Sequence, residues 1–134
     1  MGTLNVENTF SKLLPLPDES KVNELLKEQL QKLNKKIVVL DDDPTGVQTV
    51  HGISVYTDWT RESIEAGFKE ENSVFFVLTN SRGFTSAETE KVHREIAKTI
   101  QETAEKLNKE YIIISRSDST LRGHYPLETE VLKE

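Results

Sequence analysis

Tyr111-Ile112-Ile113-Ile114, followed at once by Ser115-Arg116-Ser117-Asp118-Ser119-Thr120-Leu121-Arg122-Gly123-His124-Tyr125-Pro126, is the stretch on which the fold of this chain turns. A short apolar run without polar alternation suits a strand covered on both faces, as in parallel sheets. A dense polar loop comes next. In alternating strand and helix folds the loop leaving a strand's carboxyl end is where ligands bind. Two arginines, one aspartate and four Ser or Thr hydroxyls there suit a small, oxygen-rich anion.

The same pattern recurs upstream. Ile37-Val38-Val39-Leu40 reads as a buried strand that stops at Asp41-Asp42-Asp43-Pro44-Thr45-Gly46, and residues 74–79 read as another that stops at Asn80-Ser81-Arg82-Gly83. Ile53, Val55 and Thr57 alternate with Ser54 and Tyr56, as in a further strand. Only about a dozen residues separate it from the first, too few for a helical crossover, so the connection is a loop or an antiparallel return.

Helical signals fill the intervals. Trp59-Thr60 resembles a hydrophobic staple and cap ahead of Ile64 and Phe68, and Thr85 with Glu88 forms a capping box. Behind that box, Val92, Ile96, Ile100, Ala104 and Leu107 stripe a long helix up to Asn108. Val22, Leu25, Leu26, Leu30 and Leu33 mark an amphipathic helix after an irregular leader at 1–17, and Pro126 suits the first turn of a last short helix. The expected fold is α/β: a mostly parallel sheet with helices on both faces, an incomplete Rossmann-like amino-terminal domain. Residues 1–35 form a leader with its helix, and 36–134 a partial α/β domain that reads as cut within a fold.

Composition narrows the function. At 134 residues, with 35% apolar and 30% charged side chains, one domain with a real core is expected. A net charge of -6 argues against a nucleic-acid surface. The chain has no cysteine, no apolar run long enough to span a membrane and no signal-peptide apolar region, so a cytoplasmic location without a membrane partner is expected. The six glycines are isolated, and no Walker or G-x-G-x-x-G loop is present. No histidine pair has metal-ligand spacing; His93 is expected to be solvated, and no histidine is expected to be catalytic.

The polar loops at 41–51, 80–85 and 116–125 should converge on one edge if their strands are parallel. They hold Arg82, Arg116 and Arg122 but none of the twelve lysines. Arginine's planar fork matches carboxylate and phosphate, whereas lysine suits solvated surface. A carboxylate or phosphoryl anion is the ligand this implies. Bland readings stand beside it: Asp43-Pro44-Thr45-Gly46 also suits a type I turn, Asn80-Ser81-Arg82-Gly83 a helix-leading loop, and Asp118 with Arg122 a structural pair. Three adjacent carboxylates at a strand end still need an offsetting partner.

With Asp42-Asp43-Pro44-Thr45-Gly46, Thr79-Asn80-Ser81-Arg82 and above all Asp118-Ser119-Thr120-Leu121-Arg122-Gly123, the chain resembles the amino-terminal domain of the four-carbon acid sugar kinase family over about residues 36–134. The resemblance implies the substrate-binding part of an ATP-dependent kinase that phosphorylates threonate, erythronate or 3-oxo-tetronate. By it, Asp42, Asp43, Arg82, Asp118, Ser119 and Arg122 fall on the sugar side. One of Asp42, Asp43 and Asp118 would accept the hydroxyl proton, making these the candidate catalytic residues. Asn80, Ser81, Arg82, Arg116, Ser119, Thr120, Arg122 and Gly123 would bind substrate. Arg116 stands where the family pattern commonly has lysine. ATP and Mg2+ would belong to the complete enzyme, on a carboxyl-terminal domain absent from this chain. Alone, the chain is expected not to be catalytically competent, and a separately encoded ATP-binding domain is a possible partner.

Two other readings remain. Residues 37–45 also fit the strand and D-x-D-x-T of a haloacid-dehalogenase-type, magnesium-dependent phosphatase, with Asp41 as nucleophile and Asp43 as general acid. The other reading is a non-catalytic, sugar-acid-binding fragment.

Overall fold

Two compact units, Met1–Asn34 and Lys35–Glu134, make up the computed structural model, which describes residues 5–118 and 122–133. In the first unit α1 (Val6–Phe10) is a single turn inside the stretch expected to be irregular; the Asn5 side chain caps it by accepting the Asn8 N–H at 3.1 Å. Asp18 caps α2 (Glu19–Lys32) through the Ser20 N–H, also at 3.1 Å. None of the α2 residues is buried, and Val22, Leu25, Leu26 and Leu30 are exposed.

The second unit runs β1 (Lys35–Asp41), β2 (Val55–Tyr56), α3 (Arg61–Lys69), β3 (Val74–Leu78), α4 (Ser86–Leu107), β4 (Glu110–Arg116) and α5 (Leu127–Val131). The four strands form a parallel sheet in the order β2-β3-β1-β4, so the α/β class holds. β1 is central, with Asp41 opposite Leu78 on one side and Arg116 on the other. That register brings the ends of β1, β3 and β4 to one edge. β2 is shorter than the alternation suggested and pairs with β3 rather than β1. The chain therefore reaches it by a loop with one 3-10 turn (Gly46–Thr49), not by an antiparallel return.

Period-two alternation divides the sheet into faces. Val38 and Leu40 of β1 and Phe75 and Val77 of β3 meet Ile64 and Phe68 of α3 and Ile96, Ile100 and Ala104 of α4 in one buried cluster. Tyr111 and Ile113 of β4 and Leu132, just past α5, pack on the same cluster. Within this unit α3, α4 and α5 thus gather on one face. Ile112 and Ile114 point the other way and are exposed, so within this unit β4 is not covered on both faces as its apolar run suggested: the helices pack on the face that carries Tyr111 and Ile113. Burying a side chain such as Phe68 or Ile96 contributes about 1.5–3 kcal/mol each.

Local sequence explains the helix positions. Thr60 caps α3 through the Ser63 N–H at 3.3 Å, and the preceding Trp59 packs on the core cluster. The Thr85–Glu88 capping box opens α4, and Asn108 closes it in the left-handed region at φ 50. His93 on α4, expected to be solvated, is buried: it lies three and seven residues before Ile96 and Ile100, on the core-facing side, with Nδ1 at 2.8 Å from the Thr89 carbonyl. Among the described residues no helix is long and apolar enough to cross a membrane.

Candidate functional site

Four carboxylates and three guanidiniums converge beyond the ends of β1, β3 and β4. Asp41 closes β1, and its backbone carbonyl accepts the Thr79 N–H at 2.8 Å, which ties β1 to the end of β3. Its side chain is fully buried: Oδ1 accepts from Arg116 Nη1 at 3.2 Å, and Oδ2 has no partner. Burial pushes the Asp41 carboxyl above the usual range, against the pull of the Asp43 N–H and Arg116. The Gly46 backbone lies against it; a Cβ at that position would stand 1.8 Å from Oδ2.

Asp42 is gripped by the fork of Arg82, Nε to Oδ2 at 3.2 Å and Nη2 to Oδ1 at 3.1 Å. Arg82 Nη1 also reaches Asp43 at 2.8 Å, and Nη2 lies 3.8 Å from Asp118. These carboxylates, Asp42 first, raise the Arg82 pKa. The Asp118 N–H donates to Asp42 at 3.1 Å, and Arg122 Nε donates to Asp118 at 2.8 Å. The structural pair weighed from sequence is therefore formed.

The turn reading of 43–46 is also realised. Gly46 N–H reaches the Asp43 carbonyl at 3.1 Å, and the Asp43 carboxylate accepts both the Thr45 hydroxyl and the Thr45 N–H. Thr45 above all holds the Asp43 carboxyl below the usual range.

A cleft of about 350 Å3 opens among Thr45, Arg82, Arg116, Ser117 and Asp118. Arg116 is the cation best placed to receive a ligand: its side chain is 44% exposed, and Asp41 is its one ion-pair partner among the described residues. Asn80 is exposed in the left-handed region at φ 54, whereas Ser81 is fully buried beneath the turn and does not line the cleft. Gly123 lies against Ser117, where a Cβ would stand 2.1 Å from the Ser117 hydroxyl. Ser119 and Thr120 fall outside the described residues. Thr45 and Ser117 line the cleft without having been singled out as binders; both stood in the polar loops that flagged their neighbours. Glu128 was missed as well. It is buried on α5 beside Ser81, and its spacing of three and four from Val131 and Leu132 put it on the apolar side of that helix.

The set suits a polyhydroxy anion. Carboxylates accept from hydroxyls, and the outer edge of Arg116 offers paired donors to a carboxylate. It does not suit a bound metal: Asp41, Asp42 and Asp43 spend oxygens on arginines, and among the described residues no three His, Cys, Asp or Glu side chains are arranged to hold an ion. His124 is likewise occupied, with Nε2 2.9 Å from the Phe84 carbonyl.

A family model described as a sugar-binding N-terminal domain matches residues 37–134. The chain belongs to that family. This is the amino-terminal domain to which the sequence resemblance pointed, and a small sugar is accordingly its class of ligand. No curated protein and no solved structure matches the chain. The match covers every residue that builds the cleft of the sugar-binding domain.

Proposed function

We propose that this sugar-binding domain holds a four-carbon acid sugar of the threonate or erythronate type in the cleft beyond β1, β3 and β4, as the substrate-binding part of an ATP-dependent kinase. The observation that carries this reading is the pairing of Arg116, exposed and only partly engaged, with the carboxylate-rich wall built on Arg82. Arg116 takes the ligand carboxylate; Thr45 and Asp118 bond its hydroxyls. Arg82, already forked onto Asp42 and Asp43, orders the wall more than it grips the ligand.

For phosphoryl transfer, a substrate hydroxyl oxygen would attack the γ-phosphorus of ATP, ADP would leave, and the hydroxyl proton would pass to a carboxylate. Of Asp42, Asp43 and Asp118, Asp118 is the one that lines the cleft, its carboxylate oriented there by Arg122. ATP would be held by another domain, and residues 37–134 would supply the acid-sugar side of the transfer. The phosphatase reading is disfavoured by Asp41, whose fully buried carboxylate has no path to an ester phosphorus.

Calorimetric titration with threonate and erythronate, with ATP as a second ligand, tests the proposal. At least one acid should bind, ATP should not, and Arg116→Ala should weaken the acid by tenfold or more, with Arg116→Lys intermediate because the charge stays and the fork is lost. Absence of binding by both acids, or an unchanged affinity in Arg116→Ala, would overturn it.

A further inference from the structure

Beneath the site runs a buried hydroxyl chain that ends on an acid. The Thr79 hydroxyl donates to the Asp41 carbonyl at 3.0 Å and lies 3.0 Å from Ser81 Oγ, the Ser81 hydroxyl donates to Glu128 Oε1 at 3.4 Å, and Thr79, Ser81 and Glu128 are all buried. Glu128 is only 1% exposed, and its Oε2 has no partner. Stability does not explain such a group: a buried carboxylate with one long hydrogen bond costs more than an apolar side chain of the same size. What the chain does join is α5 to the ends of β3 and, through the Asp41 carbonyl that the Thr79 N–H bonds, of β1.

The turn it anchors is Ser81–Gly83, entered through Asn80 in the left-handed region and carrying Arg82. A non-glycine residue there persists only when its surroundings hold it. Ser81 is the buried residue of the turn, and its hydroxyl adds a hold from below to the Arg82 N–H bond to the Asp42 carbonyl and the Ser81 N–H bond to the Thr79 hydroxyl, both at 3.4 Å.

We propose that Glu128 is a positioning residue: through Ser81 it fixes the turn so that the Arg82 fork stays on Asp42 and Asp43, and it thereby tunes ligand affinity without touching the ligand. The affinity half rests on the proposed function; the Arg82 half does not.

The test reads both halves. In the full chain, the Arg82 Nε–H signal is followed by NMR, with Arg94, paired to Glu90 on α4, as an internal control. Glu128→Leu, which removes the acceptor, and Ser81→Ala, which removes the donor, should each speed solvent exchange at Arg82 Nε–H by about tenfold and leave Arg94 unchanged. Glu128→Gln, which keeps an acceptor, should stay near wild type. In parallel, Glu128→Leu and Ser81→Ala should each weaken the acid sugar three- to tenfold, and the double variant no further. Arg82 exchange equal to wild type in both variants, or moving equally with Arg94, overturns the proposal. If wild type binds neither threonate nor erythronate, the functional reading falls, and Arg82 exchange still decides the role of Glu128.

Discussion

At residue 46 only hydrogen fits. A Cβ there would stand 1.8 Å from Asp41 Oδ2 and 2.3 Å from its Cγ, and Asp41 cannot swing away without releasing Arg116. Gly83, also in a site loop, has nothing within 4 Å of where its Cβ would be and no positive φ. The two glycines therefore separate local crowding from a general intolerance to alanine. Gly46→Ala is expected to destabilise the domain by about 1–3 kcal/mol, the usual cost of overpacking. Gly83→Ala should stay within about 0.5 kcal/mol of wild type. Urea midpoints for the two variants check this, and equal midpoints would mean that the Asp41 carboxylate moves aside freely. The same residues mark how far sequence alone could go. Arginines in the loops and lysines elsewhere revealed a site. That Arg82 would spend its fork on Asp42 and Asp43, leaving Arg116 as the more available cation, depended on how loops some forty and more positions apart pack, which no local pattern encodes.

Between elements, the α3–α4 contact is pinned at its surface by Glu65, which accepts from Lys106 at 2.7 Å and Lys69 at 2.6 Å. These hydrogen bonds, Lys106 first, pull the Glu65 carboxyl from 4.5 down to about 2. A carboxyl depressed on folding contributes stability above its unfolded pKa and loses it as pH falls through its folded one. The window is therefore from about 4.5 down to about 2. Thermal melts across that range should show wild type losing more of its advantage on acidification than Glu65→Gln does. Parallel curves would mean that the lysines do not hold Glu65 in solution. Elements whose signals are local were legible: the capping box set the start of α4, and apolar runs located β1, β3 and β4. β2 was less so, because its partner strand is chosen by tertiary packing. The buried face of α4 was misread at His93 because Thr89, His93 and Thr103 share it with Ile96 and Ile100, and a count of apolar residues alone shifts the stripe.

For the molecule as a whole, every buried residue among those described lies at position 36 or beyond. The core cluster is assembled entirely from β1, β3, α3 and α4, and the cleft from residues after 44. α2 has 14 residues with its apolar stripe exposed, a length at which an isolated helix is marginal in water. A chain that starts at Lys35 should therefore keep the cooperative transition of the full protein. Its midpoint is expected within about 5 °C, the shift that roughly 1 kcal/mol produces in a domain of this size. Far-UV circular dichroism should lose only the helical signal of α1 and α2, and the affinity for the acid sugar should be unchanged. A midpoint lower by more than about 10 °C, or a broad transition, would mean that the first 34 residues contribute to the core of the second unit.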